Sequence, residues 1–109
     1  MIKGTKVICL CGSTRFVDYF NHWRKIFTLQ GYIVLGIEVV VPQTHQEDPQ
    51  HSDHVTKAML DELHLRKIDL SDEVFVLNVA GYIGESTRNE INYADSIGKP
   101  LKYLEPILG

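Results

Sequence analysis

The residues best suited to chemistry lie in a glycine- and hydroxyl-rich stretch that follows an apolar run in the second half of the chain. Gly84, Ser86 and Thr87 lead into a helical pattern with Glu90 in its first turn. The unpaired N–H groups and the dipole of a helix N-terminus favour an anion, so this loop is predicted to bind a phosphate or a carboxylate. The same dipole favours the ionised form of Glu90, which makes this residue a candidate nucleophile.

Glu90 also has an interpretation without chemistry. Thr87 and Glu90 match the capping-box pattern, in which the glutamate bonds back to the threonine amide and stabilises the start of the helix. This pattern is common before helices, so the stretch alone is compatible with both a cap and a nucleophile.

A second loop of the same kind, Gly12, Ser13, Thr14 and Arg15, follows the first apolar run. It lacks the Gly-Lys-[Ser/Thr] ending of a Walker loop and the glycine spacing of a dinucleotide fingerprint. Ser13 or Thr14 can cap the helix that follows, and Arg15 offers a guanidinium fork to a phosphate or carboxylate. The two loops predict a site for a mononucleotide or sugar phosphate, without the lysine and metal ion of phosphoryl transfer.

The cysteines and most of the histidines are predicted to have no metal-binding role. Cys9 and Cys11 are the only cysteines, and on a strand they point to the same face as small buried side chains. No further ligand is evident near them in the sequence. Residues 42–53 form a polar segment predicted to be a solvated loop, or one that closes over a ligand. The histidines and acids in or beside this segment match no standard ligand spacing: His45, His51, His54, Glu47, Asp48 and Asp53. We therefore predict no metal and no cofactor.

The hydrophobic pattern predicts the elements that must position these loops. Strands are predicted at residues 6–11, 32–41 (or broken at Gly36), 73–79 and 101–104. Helices are predicted at residues 54–71 and 87–97, and over the aromatic stripe Phe16, Phe20, Trp23 and Phe27. This alternation predicts an α/β fold: a flavodoxin/Rossmann-like three-layer sandwich with a parallel sheet of order about 2-1-3-4. Both loops then lie side by side at the carboxyl ends of the first and third strands, where such sheets bind ligands, and this favours the nucleophile interpretation of Glu90.

The chain length and the net charge limit the classes of protein to which this sequence can belong. The 109 residues predict a single domain over 1–109, and a net charge of −3 argues against a nucleic-acid partner. No apolar run approaches the roughly 20 residues of a membrane span. The N-terminus enters a strand without a secretory signal pattern, so a cytoplasmic location is expected.

Three motifs together resemble one family. A strand–GSTR–helix, Ser-Asp before an apolar strand, and G-x-[ST]-x-x-x-E opening a helix are similar to motifs of the nucleoside 2-deoxyribosyltransferase-like superfamily, which includes 2′-deoxynucleoside 5′-monophosphate N-glycosidases. The resemblance covers nearly the whole chain, in the right order and spacing. The Thr87-x-x-Glu90 piece is also similar to the glycine-rich motif of cytokinin-activating phosphoribohydrolases, which cleave the same kind of bond.

The resemblance implies a reaction and assigns residues to it. Glu90 would attack the anomeric carbon of the sugar and displace the base, and water or a second base would then take the sugar. Gly84, Ser86 and Thr87 would hold a 5′-phosphate, so a nucleoside monophosphate is the expected substrate. Members of the family often complete the pocket from a neighbouring subunit, which implies a homodimer or a larger homo-oligomer.

One position departs from the family pattern. An aspartate that handles the leaving base is usual eight residues before Asp72, and here that residue is His64. A histidine can protonate a departing base, but His64 can equally be a helix-surface residue, with Asp61 or Asp69 standing in. Asp72 itself is expected to cap or orient the turn into the third strand. The substitution keeps two further hypotheses open: a non-catalytic nucleotide-binding or sensing module, and a protein-interaction domain with a vestigial site.

Overall fold

Strands and helices alternate along the chain, as the sequence predicts. The computed structural model describes residues 4–37 and 53–107. Its strands are β1 Val7–Cys11, β2 Ile33–Leu35, β3 Glu73–Val76 and β4 Leu101–Tyr103. Its α-helices are α1 Val17–Leu29, α2 Asp53–Leu70 and α3 Glu85–Ser96, and single 3-10 turns lie at Thr14–Phe16 and Val79–Gly81.

The four strands form one parallel sheet in the order β2-β1-β3-β4. β1 lies in the middle, with Cys9 opposite Leu35 of β2 and Val74 of β3. The predicted α/β class, parallel pairing and 2-1-3-4 order are therefore confirmed. The strand order reverses direction between β1 and β3, so the switch point lies at their carboxyl ends.

Several predicted boundaries shift. β3 ends at Val76 rather than at residue 79, because the chain enters the 3-10 turn Val79–Gly81, in which Ala80 and Gly81 have positive φ angles of 54° and 82°. α3 begins at Glu85, two residues before its predicted start. The predicted second strand is described only as β2, since residues 38–52 lie outside the described part of the chain, as does most of the predicted polar loop.

The sheet separates two apolar layers. Side chains alternate along β1, so Ile8 and Leu10 pack on the α1 side while Cys9 and Cys11 pack on the α2 and α3 side. The α1 layer contains Ile8, Leu10, Phe20, Phe75 and Leu77. The opposite layer contains Cys9, Cys11, Ile68, Val74, Val76 and Ala94. Because of this alternation, the two cysteines pack against the inner faces of α2 and α3.

Three of the four aromatic residues of the predicted stripe lie in α1 and pack in the core, as predicted. Phe16 instead lies half-buried in the 3-10 turn before α1, with its ring against Tyr19 and Tyr82. Phe20 is buried, and the rings of Trp23 and Phe27 lie with their centroids 5.2 and 5.1 Å from that of Phe75 on β3. Phe20, which is fully buried, contributes about 1.5–3 kcal/mol to the free energy of folding by its burial. α1 therefore serves as the cover of one sheet face.

Asp72 fixes the amino ends of the two central strands. Its Oδ2 accepts a hydrogen bond from the Val7 amide at 2.7 Å, and its own amide donates to the Val7 carbonyl at 2.7 Å. The expectation that Asp72 orients the turn into the third strand is confirmed. Within the described ranges, no helix combines the length and the apolar character needed to cross a membrane.

Candidate functional site

The two hydroxyl-rich loops meet at the carboxyl end of the sheet. Ser13 caps the first 3-10 turn by accepting from the Arg15 amide at 3.2 Å. The Arg15 guanidinium lies 4.3 Å from the ring centroid of Tyr82, in the loop after β3, and donates to its hydroxyl at 3.2 Å. A side-chain contact between the loops confirms the predicted juxtaposition. It also shows that Arg15 is partnered by Tyr82, so a ligand would compete with that contact for the guanidinium.

Gly12 lies where β1 passes closest to the end of β3. A Cβ atom built at this position would be 3.2 Å from the Leu77 carbonyl oxygen and Cβ, and 3.2 Å from the Phe20 ring. A larger residue at this position would therefore have to push against the Leu77 backbone and the Phe20 ring.

The first turn of α3 has no side-chain cap. Its N-cap residue is Gly84, which has no side chain to accept a hydrogen bond from the first amides. Thr87 lies inside the helix and is buried, and Glu90 lies in the second turn. The capping-box interpretation is therefore wrong, because a helix that starts at Glu85 leaves Thr87 no capping position. The amides of the first turn stay available for an anion.

A lysine that the sequence analysis overlooked lies beside this helix start. Lys57 on α2 donates to the Ser86 hydroxyl at 3.2 Å and forms an ion pair with Asp61 at 2.8 Å. The ion pair with Asp61 and the nearby Glu90 and Glu85 charges raise its pKa, despite slight burial, so it stays charged. Lys57, Asp61 and His64 lie at positions i, i+4 and i+7 of α2. This spacing could have predicted from the sequence that they share one face of the helix.

Glu90 and His64 meet beneath the loops. Glu90 is 8% exposed and His64 is 4% exposed. Glu90 Oε1 lies 3.7 Å from His64 Nε2 and has no hydrogen-bond partner among the described residues. The alternative of a helix-surface histidine is therefore wrong, because α2 turns this face toward α3 and the sheet.

Both cysteines contact the same histidine nitrogen. His64 Nε2 lies 3.2 Å from the sulfur of Cys11 and 3.7 Å from that of Cys9. Their predicted burial is confirmed, since both are 0% exposed. The expectation that no further ligand lies near them is wrong: more than fifty residues of chain separate them from His64, and only the packing of α2 on β1 joins them.

The cluster shifts the ionisation of its members. Burial raises the pKa of the Glu90 carboxyl to about 7, although the His64 charge works in the opposite direction. Desolvation therefore outweighs the stabilisation of the carboxylate by the helix dipole that the sequence led us to expect. The hydrogen bond from Cys11 outweighs burial and lowers the pKa of Cys9 to about 6, with His64 adding to the effect.

The two aspartates near His64 in sequence lie in different surroundings. Asp69 accepts a hydrogen bond from Tyr93 at 2.5 Å and pairs with Arg66 at 3.3 Å. It lies at the end of α2, which leads to the amino edge of the sheet, and the structure does not bring it together with Glu90 and the two loops. Asp61 is joined through Lys57 to the start of α3, and its charge contributes to raising the pKa of Glu90. Asp61 is therefore the aspartate beside the site.

No protein-family model matches this chain, and no curated protein sequence matches it significantly. The function is therefore argued from the geometry of the site.

Proposed function

We propose that this protein cleaves or transfers at the N-glycosidic bond of a (deoxy)nucleoside 5′-monophosphate, with Glu90 as the nucleophile. The observation that carries the proposal is the Glu90 carboxyl itself. It is buried and free of any capping bond, and it lies below two loops at the switch point of a parallel sheet. A buried carboxyl that has one oxygen without a hydrogen bond and a histidine beside it, at such a place, is a candidate for chemistry.

The reaction needs few groups. A Glu90 oxygen attacks the anomeric carbon, and the bond from that carbon to the base nitrogen breaks. The electron pair leaves with the base, which takes a proton from a neighbouring acid or from water. The resulting glycosyl ester is then opened by water, giving free sugar phosphate, or by a second base, giving a new nucleotide. Either acceptor regenerates the Glu90 carboxylate.

The neighbouring side chains supply the other roles. Asp61 is exposed next to the helix start, so it is the residue positioned to contact a departing base. His64 is enclosed between the two thiols and Glu90, which suits it to orient and charge-balance the nucleophile. We therefore propose His64 as a positioning residue rather than as the acid that the sequence suggested.

The test is direct. Incubating the protein with a panel of ribo- and deoxyribonucleoside monophosphates, and separating the products by chromatography, should show free base from at least one of them. Binding of a nucleotide without release of base would replace this proposal with the non-catalytic nucleotide-binding module. Neither binding nor release would leave a protein-interaction role.

The phosphate group is expected to contribute most of the binding. The uncapped first turn of α3, the Ser86 hydroxyl and the Lys57 ammonium offer hydrogen-bond donors to a phosphate, for which Lys57 would exchange its ion pair with Asp61. Nucleoside monophosphates should therefore raise the melting temperature more than the matching nucleosides do. Lys57→Ala should reduce the monophosphate shift, whereas Lys25→Ala, an equal charge change on the exposed side of α1, should not. Equal shifts for nucleosides and monophosphates would contradict the phosphate assignment.

We also propose that the protein forms a homodimer or a larger homo-oligomer. Met59, Leu63 and Leu70 are exposed on α2 at spacings of four and seven, so they form one apolar stripe. Light scattering should give a multiple of the chain mass for the parent and a smaller assembly for Leu63→Asp. Glu62→Ala, on the adjacent exposed position, serves as the control. A monomeric parent would exclude this assembly.

A further inference from the structure

We infer that Cys9, Cys11 and His64 form a binding site for one thiophilic divalent metal ion, with zinc as the best match, and that Glu90 supplies the fourth ligand. The inference does not rest on the proposed glycosidase activity, since it concerns the ligand atoms alone.

The three ligand atoms already lie together. The sulfurs of Cys9 and Cys11 and a nitrogen of His64 all lie within 4.8 Å of one another. For tetrahedral zinc, with bonds of about 2.3 Å to sulfur and about 2.0–2.1 Å to nitrogen, the sulfur and nitrogen atoms are roughly 3.5 Å apart. The observed separations from His64 Nε2 are 3.2 and 3.7 Å, so small side-chain movements would complete the coordination geometry.

A candidate fourth ligand lies beside this group and would have to move closer to the sulfurs to bind the same ion. Glu90 Oε1 lies 3.7 Å from His64 Nε2, is buried, and accepts no hydrogen bond from any described residue. An unpaired buried carboxylate oxygen is costly, and a cation would satisfy it. The set of two thiolates, one imidazole and one carboxylate suits zinc or cobalt rather than magnesium or calcium, which prefer oxygen ligands.

The fold holds these ligands without the metal. Cys9 and Cys11 lie two residues apart on β1, so the pleat directs both to one face, and the parallel neighbours β2 and β3 fix the strand on both sides. His64 and Glu90 come from α2 and α3, which pack on that face. Three ligands on two packed elements, with Glu90 of α3 beside them, form a largely preorganised site, so metal binding should stabilise the folded chain.

Cobalt is the probe of choice, because thiolate ligands give Co²⁺ an intense near-ultraviolet charge-transfer band that oxygen and nitrogen ligands do not. We expect the chelator-treated, reduced parent protein to develop this band and to saturate at one Co²⁺ per chain, with Zn²⁺ displacing the cobalt. Cys9 and Cys11 are the only cysteines, so the band can arise only from cobalt bound at this cluster. Cobalt bound by histidines elsewhere in the chain would not produce it.

Variants and a ligand count complete the test. Loss of even an outer-shell partner typically weakens metal binding by about 10- to 100-fold, so Cys9→Ser and Cys11→Ser should each cost at least that much. His22→Ala, on the exposed face of α1, is the matched control and should bind as the parent does. If the serine variants do not fold, X-ray absorption of the zinc-loaded parent should still show two sulfur ligands. Absence of the charge-transfer band in the folded parent, or a zinc spectrum with only oxygen and nitrogen ligands, would overturn the inference.

Discussion

Glu90→Gln should fold normally, bind nucleotide and release no base. The amide has the size of the carboxyl but cannot form the glycosyl ester, so the rate of base release should fall on the order of 10⁴-fold or more. Nucleotide affinity should change little, because the contacts proposed for the phosphate are to the loops and to Lys57. The measurement is chromatographic assay of free base, with a chelator present so that no metal ion occupies Glu90.

The stability of this variant is a second readout. The pKa of Glu90 in the folded protein, about 7, lies above the value of 4.5 for an unperturbed glutamate. A raised carboxyl pKa means that ionisation weakens the fold, and stability is lost as the pH rises from the lower value through the higher one. At about pH 8 the glutamine variant should therefore melt at or above the temperature of the parent.

Glu85→Gln provides the matched control. The substitution is the same and lies in the same helix, but Glu85 is exposed in the first turn of α3. This variant should release base at the parent rate and bind a monophosphate at least as well, because a negative charge near the phosphate is removed. Base release by Glu90→Gln at the parent rate would exclude Glu90 as nucleophile.

His64→Gln should slow base release while leaving the Michaelis constant nearly unchanged. Glutamine keeps much of the volume but not the positive charge, and the His64 charge lowers the pKa of Glu90. Without it the Glu90 pKa should rise, so the activity profile should move to higher pH. Below that pKa the rate should fall about tenfold for each unit of the shift.

The two aspartates of α2 distinguish this role from that of a proton donor. Asp61→Asn should lower the rate of base release without the shift of the activity profile to higher pH that His64→Gln should cause. The reason is that Asp61 is proposed to serve the departing base. Asp69→Asn should retain the parent rate, since its carboxylate is held by Tyr93 and Arg66. A reduced rate for Asp69→Asn with the other variants unaffected would reverse these assignments.

The sequence alone determined the architecture of this protein. Nearly continuous apolar runs in β1 and β3, separated by helical stripes and short turns, dictate a parallel sheet, because only covering both faces buries such strands. The same local signals located the loops that begin at Gly12 and Gly84. Strand and helix periodicity are properties of neighbouring residues, so they can be read without the fold.

Only the tertiary structure decided how the site is composed. Whether Glu90 was a cap depended on the residue at which α3 begins, and a two-residue shift to Glu85 removed that role. Whether His64 faced solvent or the sheet depended on how α2 rotates about its own axis, which a helix of weak amphipathic pattern does not specify. The meeting of His64 with Cys9, Cys11 and Glu90 joins β1, α2 and α3. Such a contact follows from packing between distant segments, and no local pattern encodes it.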